Sequence, residues 1–283
     1  MNVYEITRRM DRKEIARQTL DILDQGYYEL AGRRVDIAEA QALSEQNSFL
    51  LTPQEGGALV AELTPPAEGS PAACRVANQS AVEAILALSR EGACPAVLNF
   101  ASAKNPGGGF LKGAMAQEEA LAASSGLYRA LLRHPAYYEN NRAFKSMVYT
   151  DHAIYCPKAV FFRDGGFGLL PEPATASVLT LPAVNLGQVI QKGEDVEAAK
   201  AAMKNRMRLV LAIFARQKDR HLILGAYGCG VFGNDPAEVA PWWRELLVDE
   251  GWGRCFTKIL FAVLDRAKNR KAITAFEEVF GPA

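Results

Sequence analysis

Apolar positions along the first third of the chain repeat with a helical period and are broken by turn residues. Ile15, Thr19, Ile22 and Leu23 share one face of a helix that Asp11 and Glu14 open as a capping box and Gly26 stops. A second short helix is predicted in "DIAEAQALSEQ", after Asp36. "ELTPPAEGSPAA" is repeatedly punctuated by Pro and Gly and reads as a loop into the main domain.

From Cys74 the pattern becomes strand alternating with helix. "CRVANQ", "PAVLNFAS", "MVYTDHAIYCP", "AVFFRD", "SVLTLPAVNL", "RHLILGAY" and "FTKILFAVLD" read as strands. "SAVEAILALSREG", "AQEEALAASSGLYRALLRH", a stretch around Glu194 to Gln217 and "PAEVAPWWRELLVDE" read as helices. Met203, Met207, Val210, Leu211 and Phe214 form one stripe of the third. The alternation predicts an α/β layered sandwich behind a helical N-terminal extension, with the boundary near residue 70. "RAKNRK" reads as a solvated helix face, and Trp242, Trp243 and Trp252 read as packing residues.

Composition narrows the function classes. The 32 basic and 32 acidic residues balance, which argues against a broad grip on nucleic acid or membrane, while a local anion site built from main-chain amides stays open. The five cysteines are scattered without a CxxC pair and the three histidines are isolated. Reduced thiols in a cytoplasm and no zinc site are expected. The N-terminus is charged and has no apolar signal region. Ser124 and Ser125 have no His–Asp relay in view, which disfavours a serine hydrolase.

In open α/β sheets ligands gather at the carboxyl ends of strands, and both glycine-rich loops fall there. "GAYGCGVFGNDPAEVA" follows a strand and precedes a helix with Asp235 as N-cap and Pro236 at its first position. Its residues Gly228, Cys229, Gly230, Val231, Phe232 and Gly233 suit a phosphate or diphosphate, with the Phe232 ring beside the ligand. They also spell GxGxxG, but the following strand ends too far on, at Asp265, for a nicotinamide fingerprint.

The other loop runs "NFASAKNPGGGFLKGAMAQEEALAASS", from Asn99 to Ser125. Glu118 and Glu119 in a first helical turn are explained by the helix dipole alone. Gly107, Gly108 and Gly109 are not: each costs up to about 1 kcal/mol against alanine, and a turn needs one. Adjacent helical residues point about 100° apart, so these glutamates cannot flank a bond as the opposed pair of an ordinary glycosidase. One must act largely alone.

GGG, a short spacer and QEE resemble the signature of poly(ADP-ribose) glycohydrolases, in their bacterial-type branch. "LTLPAVNLG" and "LGAYGCGVFGNDPAEVA" resemble later segments of that branch, and the similarity runs from Tyr4 to Phe280. The resemblance implies a macrodomain-like three-layer sandwich with a mixed sheet, an accessory region over residues 1–70 and a catalytic domain over 71–283. It implies cleavage of ribose–ribose O-glycosidic bonds from the chain end, with poly(ADP-ribose) or ADP-ribosylated protein as substrate, ADP-ribose as product and no cofactor. Glu119 takes the place of the catalytic acid, Glu118 holds ribose hydroxyls, and Gln117 holds the loop. Asn105 and Gly107 to Gly109 approach the terminal ribose and phosphates, and Gly228 to Gly233 form the diphosphate loop. Tyr227, Phe110 and Asn185 are candidates to contact adenine. Lys112 stands where a smaller or apolar residue is expected. A hydrolase of single ADP-ribose units on protein or nucleic acid and a non-catalytic ADP-ribose reader are the alternatives.

Overall fold

In the computed structural model, described over residues 11–281, the sequence periods resolve into eleven α-helices and nine strands. The charged start of the chain, including Tyr4, lies outside the described residues. Helix α1 (Arg12–Gln25) carries the expected stripe and ends at Gly26 in the left-handed conformation, φ 77°. Its capping box does not form. Asp11 caps Lys13 N–H, whereas Glu14 is drawn along the helix to Arg17 and Gln18.

A hairpin of β1 (Tyr27–Leu30) and β2 (Arg33–Asp36) follows, then α2 (Ala38–Gln46), β3 (Phe49–Leu51) and α3 (Pro53–Glu62). The hairpin, β3 and α3 were not read from sequence. Four- and three-residue strands are too short to show an alternation, but α3 carries a full Thr52–Glu55 capping box.

Seven strands form one sheet in the order β3, β6 (Ala153–Arg163), β7 (Leu169–Leu181), β5 (Pro95–Phe100), β8 (His221–Leu224), β9 (Lys258–Ala262) and β4 (Ala73–Ala77). The five from β7 to β4 are parallel; β6 runs antiparallel to β7 and to β3. Both faces are covered. Ala96, Leu98, Leu222, Leu224, Ile259 and Phe261 enter the larger core. Val97, Ile223 and Leu260, on the alternate positions, enter the other. Strands buried on both sides read as unbroken apolar runs, which is why they were legible.

On the larger core lie α3, α8 (Leu186–Gln191), α9 (Val196–Arg216), α10 (Pro236–Arg244) and α11 (Lys271–Phe280). The opposite face is covered by α4 (Ala81–Arg90), α5 (Gln117–Ser124), α6 (Leu127–Leu132) and α7 (Pro135–Ala143). The layered α/β architecture is as expected, with local differences. The helix expected over "AQEEALAASSGLYRALLRH" breaks at Ser125, which turns extended and bridges Phe161. The two segments before and after Pro157 become one strand with a bulge between Cys156 and Ala159, and residues 147–152 stay a loop. "RAKNRK" is not a helix face: Arg266 to Arg270 form a loop and only Lys271 begins α11. Trp243 and Trp252 are buried, as packing residues should be.

Candidate active site

The strand β5 keeps its register with β8 only to Val97, although it continues to Phe100. The two strands part at their carboxyl ends, and Gln117 fills the gap. Its amide donates to Leu98 O and accepts from Phe100 N–H, both at 2.8 Å, so a side chain supplies the partners a strand would have given. That contact seats the start of α5 on the end of β5.

The next two residues divide sharply. Glu118 is 3 % exposed, and its carboxylate accepts from Ser102 N–H at 2.6 Å and from Asn99 Nδ2 at 3.3 Å. Burial pushes its pKa from 4.5 up to about 8, against the opposing effect of those hydrogen bonds and with help from the neighbouring Glu119 charge. Burial therefore favours the protonated form of Glu118 near neutral pH. Glu119 is half-buried, and one of its oxygens accepts from Gly109 N–H at 2.8 Å.

The three glycines answer to this pair. Gly107 and Gly108 take φ of 64° and 60°, the left-handed region that side chains resist. A Cβ on Gly108 would also strike the carboxylates of Glu119 and Glu118, and one on Gly109 would lie 2.6 Å from Ala114 Cβ. Main chain therefore runs directly across both carboxyl groups. Asn105, exposed, closes the turn by accepting Gly108 N–H at 3.0 Å.

The second loop begins on the neighbouring strand. Trp243 Nε1 donates to Gly225 O, and a Cβ on Gly225 would meet Ala262 O at 2.7 Å. Gly228 and Gly233 have φ of 75° and 73°. Buried Asn234 donates to Gly228 O and to Val184 O, fastening this loop to the one after β7. Gly230 and Val231 stand exposed, Val231 at 92 %, and Cys229 is half-buried, its thiol pushed up to about 12 by burial. Asp235 caps α10 with Pro236 following, as expected.

Phe232 packs near Tyr149, ring centroids 6.0 Å apart, and Lys104 Nζ lies 6.0 Å from the Tyr149 ring centroid. Tyr149 thus joins the two glycine loops. It holds φ 60°, rare for an aromatic residue, and Arg206 grips its carbonyl together with those of Val148 and Pro182 and the Asp151 carboxylate.

Two adenine candidates are enclosed. Tyr227 is fully buried with its hydroxyl on Leu181 O, and Phe110 is 2 % exposed against Tyr128. The Asn185 side chain caps α8 through Gln188 N–H. Sequence reasoning missed Asn99, Tyr149, Asn234 and Arg206. For Arg206 a signal existed: an arginine three residues after Met203 and four before Val210, inside an apolar stripe.

A buried carboxyl beside a half-buried one, both crossed by main chain and flanked by a loop suited to a diphosphate, describes an enzyme of the glycosidase class acting on a nucleotide sugar. The comparisons agree. Residues 16–164 match the family described as microbial-type PARG, catalytic domain. The poly(ADP-ribose) glycohydrolase of Thermomonospora curvata is 40 % identical, covering 95 % of this chain and 99 % of its own, with a TM-score of 0.91. Its complex with the inhibitor ADP-HPD gives 39 %, 94 %, 98 % and 0.87 in the same order. The Deinococcus radiodurans enzyme in complex with ADP-ribose is 40 % identical over 89 % of this chain and 98 % of its own, with a TM-score of 0.78. No curated protein matches. The chain belongs to the microbial-type poly(ADP-ribose) glycohydrolase family.

Proposed function

We propose that this chain hydrolyses the ribose–ribose O-glycosidic bonds of poly(ADP-ribose) from the chain end, with Glu119 as the acid and base. The observation that carries the reading is the main chain of Gly107 to Gly109 laid across both carboxyl groups, an arrangement that helix capping does not call for. Gly109 N–H holds one oxygen of Glu119 and leaves the other for the proton. Glu119 protonates the departing ribose oxygen, the ribose passes through an oxocarbenium-like state, and the carboxylate then takes a proton from the attacking water. Glu118 faces the ribose hydroxyls. With burial favouring its neutral form, it donates a hydrogen bond there and adds no full charge opposite a diphosphate.

Gln117 sets the helix start, and Asn105 with Gly107, Gly108 and Gly109 closes on the terminal ribose and phosphates. Gly228, Cys229, Gly230, Val231 and Gly233 line the diphosphate, with Phe232 held at the ribose by Tyr149. A macrodomain-like unit over 71–283 with an accessory region over 1–70 belongs to the same reading, although β3 and α3 of the latter join the sheet and the larger core. Poly(ADP-ribose) or ADP-ribosylated protein is the substrate and ADP-ribose the product. A cytoplasmic site of action fits five free cysteines; among the described residues no helix is long and apolar enough to cross a membrane.

The test compares wild type with Glu119→Gln on polymer, mono-ADP-ribosylated protein and ADP-ribosylated DNA, and measures ADP-ribose binding by calorimetry. The expected result is ADP-ribose binding retained and polymer hydrolysis reduced by about 10²–10⁴ or more. Full polymer hydrolysis by the variant would overturn the assignment, and preference for either mono-modified substrate would overturn the choice of bond.

A further inference from the structure

Two cations flank the turn that leads into the three glycines, with no part in the chemistry of the glutamates. Lys104 is half-buried on the first glycine loop, and Arg142, near the end of α7, is exposed. They lie 38 residues apart in the chain, and Arg142 Nη1 donates to Lys104 O at 2.6 Å. Among the described residues neither makes an ion pair. Glu139, three residues before Arg142 on α7, is exposed and does not pair with it, and Glu194 spends its carboxylate on Ser146 Oγ and Met147 N–H.

Hydrogen bonds tie both cations to the glutamates. Ser102 N–H donates to Glu118, and Ser102 Oγ accepts from Lys104 N–H at 3.3 Å and from Asn105 N–H at 3.1 Å. With Arg142 on its carbonyl, Lys104 is held at both ends of its main chain. Asn105 O accepts from Gly108 N–H in turn, and Gly108 is the residue on which a Cβ would strike both carboxylates. The Lys104 ammonium lies 6.0 Å from the ring centroid of Tyr149, which bridges the two glycine loops. Both charges therefore stand at the rim of the cleft, one turn of chain from the carboxyl groups.

In poly(ADP-ribose) the bond to be broken joins C1″ of the terminal unit to O2′ of the next unit's adenosine ribose. That ribose is the leaving group, and it carries a diphosphate on its own 5′ oxygen. A second pair of phosphates thus lies one ribose away from the reacting carbon, while the Gly228 to Gly233 loop is taken by the diphosphate of the terminal unit. We infer that Lys104 and Arg142 form a subsite for the diphosphate of the leaving unit. The inference rests on the polymer as substrate. Two solvent-facing cations suit a group released at every turnover, because such contacts are worth about 2- to 5-fold each and are screened by salt. Free ADP-ribose ends at its C1″ hydroxyl and has no such group, and an amino-acid side chain as leaving group brings no phosphate. The subsite thereby favours polymer over mono-ADP-ribosylated protein.

The test compares wild type with Lys104→Gln, Arg142→Gln, Arg142→Lys and the double variant Lys104→Gln/Arg142→Gln. It measures kcat/KM on polymer and the Kd of ADP-ribose by calorimetry, both at low and at high salt. The double variant is expected to lose about 5- to 20-fold in kcat/KM on polymer, through KM, with the ADP-ribose Kd changed less than about twofold and the loss shrinking at high salt. Arg142→Lys keeps the charge without the bond to Lys104 O, and is expected to retain most of what Arg142→Gln loses. Equal losses in those two variants would show that Arg142 only braces the loop and would overturn the inference. Equal losses in polymer turnover and ADP-ribose affinity, or no loss at all, would overturn it as well, and so would a matching loss on ADP-ribosylated DNA, the sign of a general grip on phosphate. Failure of the substrate reading shows separately, in a wild type that prefers mono-ADP-ribosylated protein to polymer, and it removes the leaving unit and this inference together.

Discussion

Replacing Glu118 by Gln removes the proton equilibrium of a buried carboxyl while keeping its shape. Between pH 4.5 and about 8 the native protein holds a proton on Glu118 that the unfolded chain has released. Native stability therefore falls as pH rises through this window, and the loss is complete above the folded pKa. The shift from 4.5 to about 8 corresponds to about 5 kcal/mol at the top of the window. The Gln variant escapes that loss. Its carbonyl can accept from Ser102 N–H, and its amide pairs with Asn99 Oδ1, which is buried and has no partner, once the Asn99 side chain turns over from the orientation in which Nδ2 faces Glu118. Asp219, raised from 3.8 to about 6 by burial, titrates in both proteins and cancels in their difference. The assay is thermal or urea unfolding of ligand-free protein from about pH 4.5 to 9. The variant should match wild type near pH 4.5 and exceed it increasingly up to pH 8, by about 10 °C or more in Tm at the full difference. A difference that stays constant across the range would refute the placement of the proton on Glu118.

Gly108→Ala should be severe, because it adds a Cβ against both carboxylates at a positive φ; a loss of about 1–3 kcal/mol in stability and a fall in kcat beyond what unfolding explains are expected in denaturation and steady-state assays. Asn234→Ala removes the tie between Gly228 O and Val184 O and should cost about 1–3 kcal/mol, with weaker ADP-ribose binding by calorimetry and a smaller effect on kcat. Asp219→Asn should stabilise the protein above about pH 6 and do nothing below pH 4, since its carboxyl, too, is protonated in the native state where the unfolded chain has ionised; unfolding midpoints at the two pH values check it.

Much of the sheet was legible because its central strands are buried on both faces and leave apolar runs such as "PAVL" and "LIL". The site was legible where chemistry demanded unusual residues in sequence, as at GGG and QEE. Its purpose for the glycines was only partly anticipated: the crowding partners are the protein's own carboxylates as well as any ligand. What the sequence hid depends on contacts between distant segments. Asn99 looks like a polar slip in a strand until Glu118 is folded over it, 19 residues on. Tyr149 has no local reason to adopt a positive φ; its conformation is held by Arg206, 57 residues away. The hairpin and β3 were missed because strands of three or four residues are fixed by their partners rather than by their own pattern.

Gln117 binds the carboxyl end of β5 with a side chain, beyond the point where main-chain pairing with β8 stops. The Phe100 amide hydrogen is consequently sheltered only while α5 is seated. Its exchange with deuterium, read as a single NMR cross-peak, reports how often the glutamate-bearing helix lifts away from the sheet, in a resting protein with no substrate and no turnover.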